Sequence, residues 1–357
     1  MYAIVDKESS QKSIQDKIKS DIIHQIESGE LKPGDVLYST QKMSNIYNVS
    51  LVTAHKALQD LTRRKYLVRE NGKGTYVADR KNPSTFTKIG VPVYLQHNPF
   101  HVHMIEAISD QALKHDINLV LGQGSREQEF IDKLVNNDIS TLIRFPRNSI
   151  KESLVWKSLE NNRIRTVIVN DFWLDGGPFP SVRTDELDGV RQAMEHLISL
   201  GHSEIVFFDE NKIEQRVGAF NAYYQSLLLH NIPFDATRVL YMDEYKGKSG
   251  ELVKDLMRQG TAVVTTYDVF AIRIIEALRN EGVQVGEEFS VTGFDGIEDA
   301  ENFDLTTVEQ PVNLLIERAF KMLDAYIPGA KPEKSTVKPK LKTRGSTAPP
   351  SKKRRTL

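Results

Sequence analysis

The 357-residue chain contains no cysteine. Disulfides, thiolate metal sites and a cysteine nucleophile are therefore excluded, and a reducing compartment such as the cytoplasm is expected. No apolar run approaches the ~20 residues needed to span a bilayer. Met1 to Ser10 lacks the apolar core of a secretory signal, so neither membrane insertion nor export is expected. Positive charge is scarce in the middle: residues 81–330 hold 24 Lys and Arg against 37 Asp and Glu, while residues 1–80 hold 13 against 10 and residues 331–357 hold 10 against 1. The net charge of -1 thus hides basic ends around an acidic centre. An anion-binding end joined to a part that does not touch nucleic acid would have this pattern. A nucleotide-binding GxxxxGK[ST] loop is also missing. Gly72-Lys73-Gly74-Thr75 resembles one only superficially, because its lysine lies between the glycines and Thr75-Tyr76-Val77 favours a strand. With Leu67-Val68-Arg69 before it and the turn pair Asn71-Gly72, the stretch is expected to be a β-hairpin with Lys73 at its tip.

Three helices are expected before that hairpin. Ile14, Ile18, Ile22 and Ile26 recur every four residues, with Gly29 just past the last turn. Thr40–Tyr47 makes a short second helix. Ser50 can cap a third, on which Leu51, Ala54, Ala57, Leu58 and Leu61 share one side while Val52, Lys56, Gln59 and Arg63 face the other. Three helices followed by a hairpin give the layout of a winged helix-turn-helix over residues 1–80, whose partner is double-stranded DNA. The expected contacts are Gln41, Ser50, Val52, Thr53, His55 and Lys56 from the helices and Lys73 from the wing. Lys12–Ala78 also resembles the DNA-binding domain of the GntR family, through IESGELKPGD, VSLVTAHKALQDL and GKGTYV. It departs from that family where DNA is read. Tyr38-Ser39-Thr40 replaces the usual Pro-Ser-Glu, and Leu51 and His55 stand where two arginines are usual. The resemblance therefore implies DNA binding with an unusual operator.

Residues 81–88 form a polar linker, and beyond it strand-like and helical stretches alternate. Alternation of this kind predicts an α/β fold with parallel sheets, in which ligands sit beyond the carboxyl ends of the strands. Residues 89–350 resemble the effector domain of LacI-type regulators, related to periplasmic sugar-binding proteins. The resemblance rests on VRTDELDGVRQAMEHLISLGHSEIVFF, QRVGAFNAY, the GFDG stretch with DLTTVEQP after it, and LKTRGSTAPP. It implies a two-lobed periplasmic-binding-protein-like sensor, with lobes at roughly 89–175 and 180–305, three crossings and a return of the chain to 350. Residues 351–357 are a basic tail. A GntR-type reader on a LacI-type sensor is the arrangement of arabinose-responsive repressors and their relatives. It implies a cytoplasmic homodimer that regulates transcription in response to a sugar or sugar acid.

Carried over from the resemblance, Arg216 and Asp295 are the foremost pocket residues, joined by Asp268, Tyr267, Phe100 in the loop after the first strand, Arg144 and Asn170. A buried Arg144 needs a negative partner, which could be Asp171, Asp268 or a carboxylate on the ligand. A neutral sugar is favoured over a sugar acid. His97, His101 and His103 raise the question of a metal, but Pro99 argues against a helix that would align them, and no metal or cofactor is expected. Two rivals remain. A sugar-binding protein without DNA regulation is opposed by the winged helix, and a regulator with an enzyme-like domain by the absence of motifs such as GxSxG.

Overall fold

The computed structural model describes residues 7–63, 66–70, 74–78, 86–93, 99–145, 152–170, 177–210, 212, 216–327 and 330–351. Two compact units result, an N-terminal head and a larger body beginning at Lys88.

In the head, α1 (Lys7–Glu27), α2 (Thr40–Ile46) and α3 (Leu51–Arg63) precede the antiparallel strands β1 (Leu67–Glu70) and β2 (Gly74–Val77). Ile18 and Ile22 of α1 meet Ala54, Ala57, Leu58 and Leu61 of α3, and Leu67 and Val77 close the core from the hairpin. Gly29 takes φ +78 just past α1, a left-handed position that a Cβ disfavours. Ser50 caps α3 as its sequence suggests: its Oγ accepts from the Thr53 amide at 3.1 Å. Residues before α2 add an edge to the hairpin, since the Leu37 amide donates to Thr75 O at 2.8 Å. Asn71–Lys73, the expected wing tip, lies outside the described residues.

The body opens with β3 (Lys88–Val93), α4 (Pro99–Lys114), β4 (Asn118–Gln123), α5 (Glu127–Asn136), β5 (Thr141–Arg144), α6 (Glu152–Asn161), β6 (Arg165–Val169) and β7 (Ser181–Thr184). It continues with α7 (Glu186–Ser199), β8 (Ile205–Asp209), α8 (Val217–Leu229), β9 (Val239–Tyr241), α9 (Ser249–Gln259), β10 (Ala262–Thr265), α10 (Asp268–Asn280) and β11 (Ser290–Asp295). The chain closes with α11 (Asp299–Asn302), β12 (Thr306–Glu309), α12 (Val312–Asp324), β13 (Lys334–Val337) and β14 (Lys340–Lys342). Two six-stranded sheets form, in the orders β13-β7-β6-β5-β3-β4 and β14-β12-β11-β10-β8-β9. Every pairing is parallel except that of β14 with β12. The central strands β5 and β10 are buried along their whole length, as expected where helices cover both faces of a sheet.

The division between lobes differs from the sequence reading. β7 pairs with β6, so the first lobe runs to Thr184, and α12 and β13 return to it. The three crossings fall at Asp185, at Gln310-Pro311 and between Val337 and Lys340. The first and third are tied together, because the Asp185 amide donates to Val337 O at 2.8 Å.

Candidate functional site

Parallel order brings the carboxyl ends of strands from both sheets to the crossings, so the site is assembled from strand ends. From the first lobe come Arg144 at the end of β5, Asn170 just after β6 and Thr184 at the end of β7; all three are buried. From the second come Asp209 at the end of β8, Thr266, Tyr267 and Asp268 after β10, and Asp295 at the end of β11. Arg216 stands immediately before α8, and Gln310 occupies the middle crossing.

Gln310 connects the lobes. Its Nε2 donates to Asp295 Oδ1 at 2.7 Å, while its Oε1 accepts from Asn170 Nδ2 at 2.8 Å and from the Thr184 hydroxyl at 2.6 Å. Asn170 Oδ1 in turn accepts from the Thr184 amide at 2.9 Å. Asp295 is held at φ +130, a strained conformation for a residue with a side chain. Such strain persists only where the surroundings enforce it.

Asp268 provides part of that enforcement. Its Oδ2 accepts from the Gly296 and Ile297 amides at 2.7 and 2.9 Å, and its Oδ1 from the Thr307 hydroxyl at 2.5 Å. The carboxylate thus pins the turn after Asp295. Burial pushes its pKa up to about 6, against the pull of these hydrogen bonds. Asp268, expected from the sequence as a ligand contact, has both carboxylate oxygens engaged by the protein itself. Asp209 has a similar task, accepting from the Arg216 amide at 2.8 Å and the Thr266 hydroxyl at 2.7 Å.

Both arginines are buried and paired. Arg216 is 1% exposed and forms an ion pair with Glu186, the first residue of α7. Its Nη1 donates to Thr266 O at 2.5 Å, and its guanidinium lies 4.9 Å from the ring centres of both Tyr267 and Phe294. Burial works against the Arg216 charge, but Glu186 and the neighbouring Tyr267, Asp295 and Asp209 raise its pKa overall. Burial likewise raises the Glu186 carboxyl against the pull of Arg216. Arg144, also 1% exposed, meets Glu127 through two bonds, Nε to Oε1 at 2.5 Å and Nη2 to Oε2 at 2.7 Å. Among the described residues its carboxylate partner is therefore Glu127, the first residue of α5, which the sequence reading did not name. Asp171 lies outside the described residues.

Phe100 is the second residue of α4, not part of a loop, and is 6% exposed. Proline fits the first helical position because its missing N–H is not needed there. Pro99 thus starts the helix that it was expected to exclude, placing His101 and His103 on α4. His97 lies outside the described residues, among which no cluster of three His, Asp or Glu side chains could hold a metal.

On the head, Val52 is 63% exposed, and Gln41, Ser50, His55 and Lys56 are exposed beside it. Thr53 is not. It is 7% exposed, and its hydroxyl lies 2.8 Å from Ser50 Oγ, so the residue belongs to the cap and the core, not to a DNA-facing surface. His55 Nε2 lies 3.3 Å from Nη1 of Arg69 on β1. Lys73 is outside the described residues.

Fold and site together define a regulator built from a DNA-reading head and a small-molecule-binding body. The head, over residues 14–77, matches the gntR family of bacterial regulatory proteins, and residues 194–347 match the periplasmic binding protein-like domain. The chain thus joins a gntR-type helix-turn-helix head to a periplasmic binding protein-like domain. It is 26% identical over 352 residues to an arabinose metabolism transcriptional repressor of Geobacillus stearothermophilus, covering 93% of this chain and 96% of the relative. The body shares its fold with a LacI family transcriptional regulator from Enterococcus faecium with bound ribose, at TM-score 0.64 and 24% identity over 73% of this chain and 99% of that one. The chain is also similar in fold to the regulator CelR in complex with cellobiose, at TM-score 0.63 and 18% identity over 87% of this chain and 100% of that one. The relatives are regulators. Among the described residues no helix is long and apolar enough to cross a membrane.

Sequence reasoning missed Glu127, Glu186, Asp209, Thr184 and Gln310. Asp209 and Gln310 each had a signal, one as a carboxylate ending an apolar run and the other lying in the VEQP stretch.

Proposed function

We propose that this chain is a cytoplasmic, dimeric transcriptional repressor whose hold on a palindromic operator is set by a neutral sugar bound between the lobes. One observation carries the choice of ligand: each buried arginine of the site already has a carboxylate of the protein, Glu186 for Arg216 and Glu127 for Arg144. A sugar acid would bring a further negative charge to two arginines that, among the described residues, already face carboxylates, at a cost in desolvation. Neutral hydroxyls need only hydrogen-bond partners, and Asp295, Asn170, Gln310 and Arg216 are gathered at the strand ends to supply them. The relatives point the same way, since one is a repressor of arabinose metabolism and two of the structures hold ribose or cellobiose.

Regulation then follows from linkage. A ligand that favours the closed lobes shifts the operator equilibrium by its difference in affinity between the two states, typically ~1–3 kcal/mol. The test begins by selecting a duplex from a random library with the full chain. Aldoses and the matching uronic acids are then titrated against the complex. Release by an aldose is expected; release by uronic acids alone would overturn the choice of ligand, and failure to select any duplex would overturn the regulator reading itself.

A further inference from the structure

A guanidinium bonding to O6 and N7 of guanine is the commonest specific contact in a major groove. In this head, α3 carries no arginine before its last residue, Arg63; the outward positions of its first turns are Leu51, Val52, His55, Lys56 and Gln59. Two of these, Leu51 and His55, stand where an arginine is expected of such a helix. Arg69, exposed on β1, supplies one from elsewhere. Arg69 Nη1 reaches to 3.3 Å of His55 Nε2, and with Thr40, Lys56, Gln59 and Thr75 these two side chains line a hollow of about 660 Å³ on the head.

We infer that Arg69 and His55 act as one composite guanine reader, the wing strand lending α3 the guanidinium that it lacks. The chemistry fixes the direction of their contact. Arginine only donates, so His55 Nε2 must accept, which places the imidazole proton on Nδ1. One of five guanidinium N–H groups is used in this way, and a bidentate pair remains for a base edge. The His55 contact also holds a flexible side chain in one place, lowering the cost of ordering it on the DNA.

This inference rests on the DNA-reading assignment above, and the experiment separates the two. The duplex selected by the full wild-type chain serves as the probe, alongside a copy in which each guanine is replaced by 7-deazaguanine, which lacks the N7 acceptor. Wild type is expected to bind the deaza copy about 10- to 100-fold more weakly. Arg69→Ala should bind both copies alike, near the weaker level. Arg69→Lys should not restore discrimination, because an ammonium cannot make the bidentate contact. A phosphate role predicts the reverse: Arg69→Ala weakening all duplexes equally, Arg69→Lys restoring affinity, and a salt slope smaller by about one. That result, or equal wild-type affinity for the two copies, would overturn the inference and leave DNA binding intact. Arg69 is exposed, so the variants should fold, and an unchanged thermal transition of the head checks this.

Discussion

Replacing Glu186 by Gln tests the charge balance of the site most directly. The change keeps the size and one acceptor oxygen but removes the charge facing Arg216, a guanidinium that is 1% exposed and lies 4.9 Å from the Tyr267 and Phe294 ring centres. At contact distance and an effective dielectric near 20 the pair attracts by about 5 kcal/mol. Desolvation offsets much of this while both charges are present. Once Glu186 is neutralised, Arg216 stays buried without its ion-pair partner and with Asp295 and Asp209 as the carboxylates nearby, a loss that costs ~3–5 kcal/mol. For a unit of this size that lowers the melting temperature by on the order of 10 °C.

The same variant should invert ligand preference. In wild type a neutral aldose should raise the melting temperature and its uronic acid should not, a ligand at 100 times its Kd contributing about 2.7 kcal/mol. In Glu186→Gln the uronate can supply the missing negative charge, so it should stabilise more than the aldose. Differential scanning fluorimetry on both proteins with matched ligand pairs reads both effects. If Glu186→Gln melts within 2 °C of wild type, the pair is not holding the site. If the uronate is already preferred by wild type, the argument from compensated arginines fails.

Gln310→Ala should cost about 2–4 kcal/mol, because Asn170, Thr184 and Asp295 each lose a buried hydrogen bond; a change in urea midpoint equivalent to less than 0.5 kcal/mol would remove Gln310 from the hinge. Asp268 has its folded pKa raised from 3.8 to about 6, so its proton contributes stability that is complete below pH ~4 and is lost as the pH rises through about 6, on the order of 3 kcal/mol in all. Asp268→Asn should therefore flatten the decline in the body's stability between pH 4 and 7, and urea melts across that range would expose an unchanged slope. Gly293→Ala would place a Cβ against Asp268 Oδ1, so it should weaken ligand response through the turn after Asp295 while operator binding persists. Ser50→Ala removes the cap of α3 and should cost the head ~1 kcal/mol, read as a lower melting temperature of the isolated head transition.

Much of the fold was legible because single elements carried their own period. Ala54, Ala57, Leu58 and Leu61 lie on one face of α3 and are all buried, as their spacing dictates, whereas Leu51, expected on that face, is 47% exposed at the start of the helix. The near-continuous apolar runs of β5, β8 and β10 likewise announced strands covered on both faces. What failed were elements whose existence depends on a partner. Ser181–Thr184 is a four-residue strand of mixed polarity with no period of its own, ordered by pairing with β6 and β13. Missing it displaced the lobe boundary. Pro99 failed for a local reason, since a proline that breaks a helix interior favours a helix start.

The site divided along the same line. Residues at strand ends could be proposed from sequence because parallel topology decides where those ends gather, and Arg144, Asn170 and Asp295 do lie there. Which carboxylate neutralises which arginine is a tertiary property. Glu127 precedes Arg144 by 17 residues and starts the helix before its strand, while Glu186 precedes Arg216 by 30 and starts the helix that follows the first crossing. In both pairs the acid comes from a helix N-terminus, where a negative charge is favoured by the helix dipole whether or not an arginine is near. Each glutamate therefore has a local reason to stand at its position, and sequence alone cannot distinguish that reason from ion pairing. The distinction matters for function because it decides whether the site's positive charge is still available to a ligand. With both acids turned inward onto arginines, the proposed neutral sugar would be selected by hydrogen-bond geometry and not by charge.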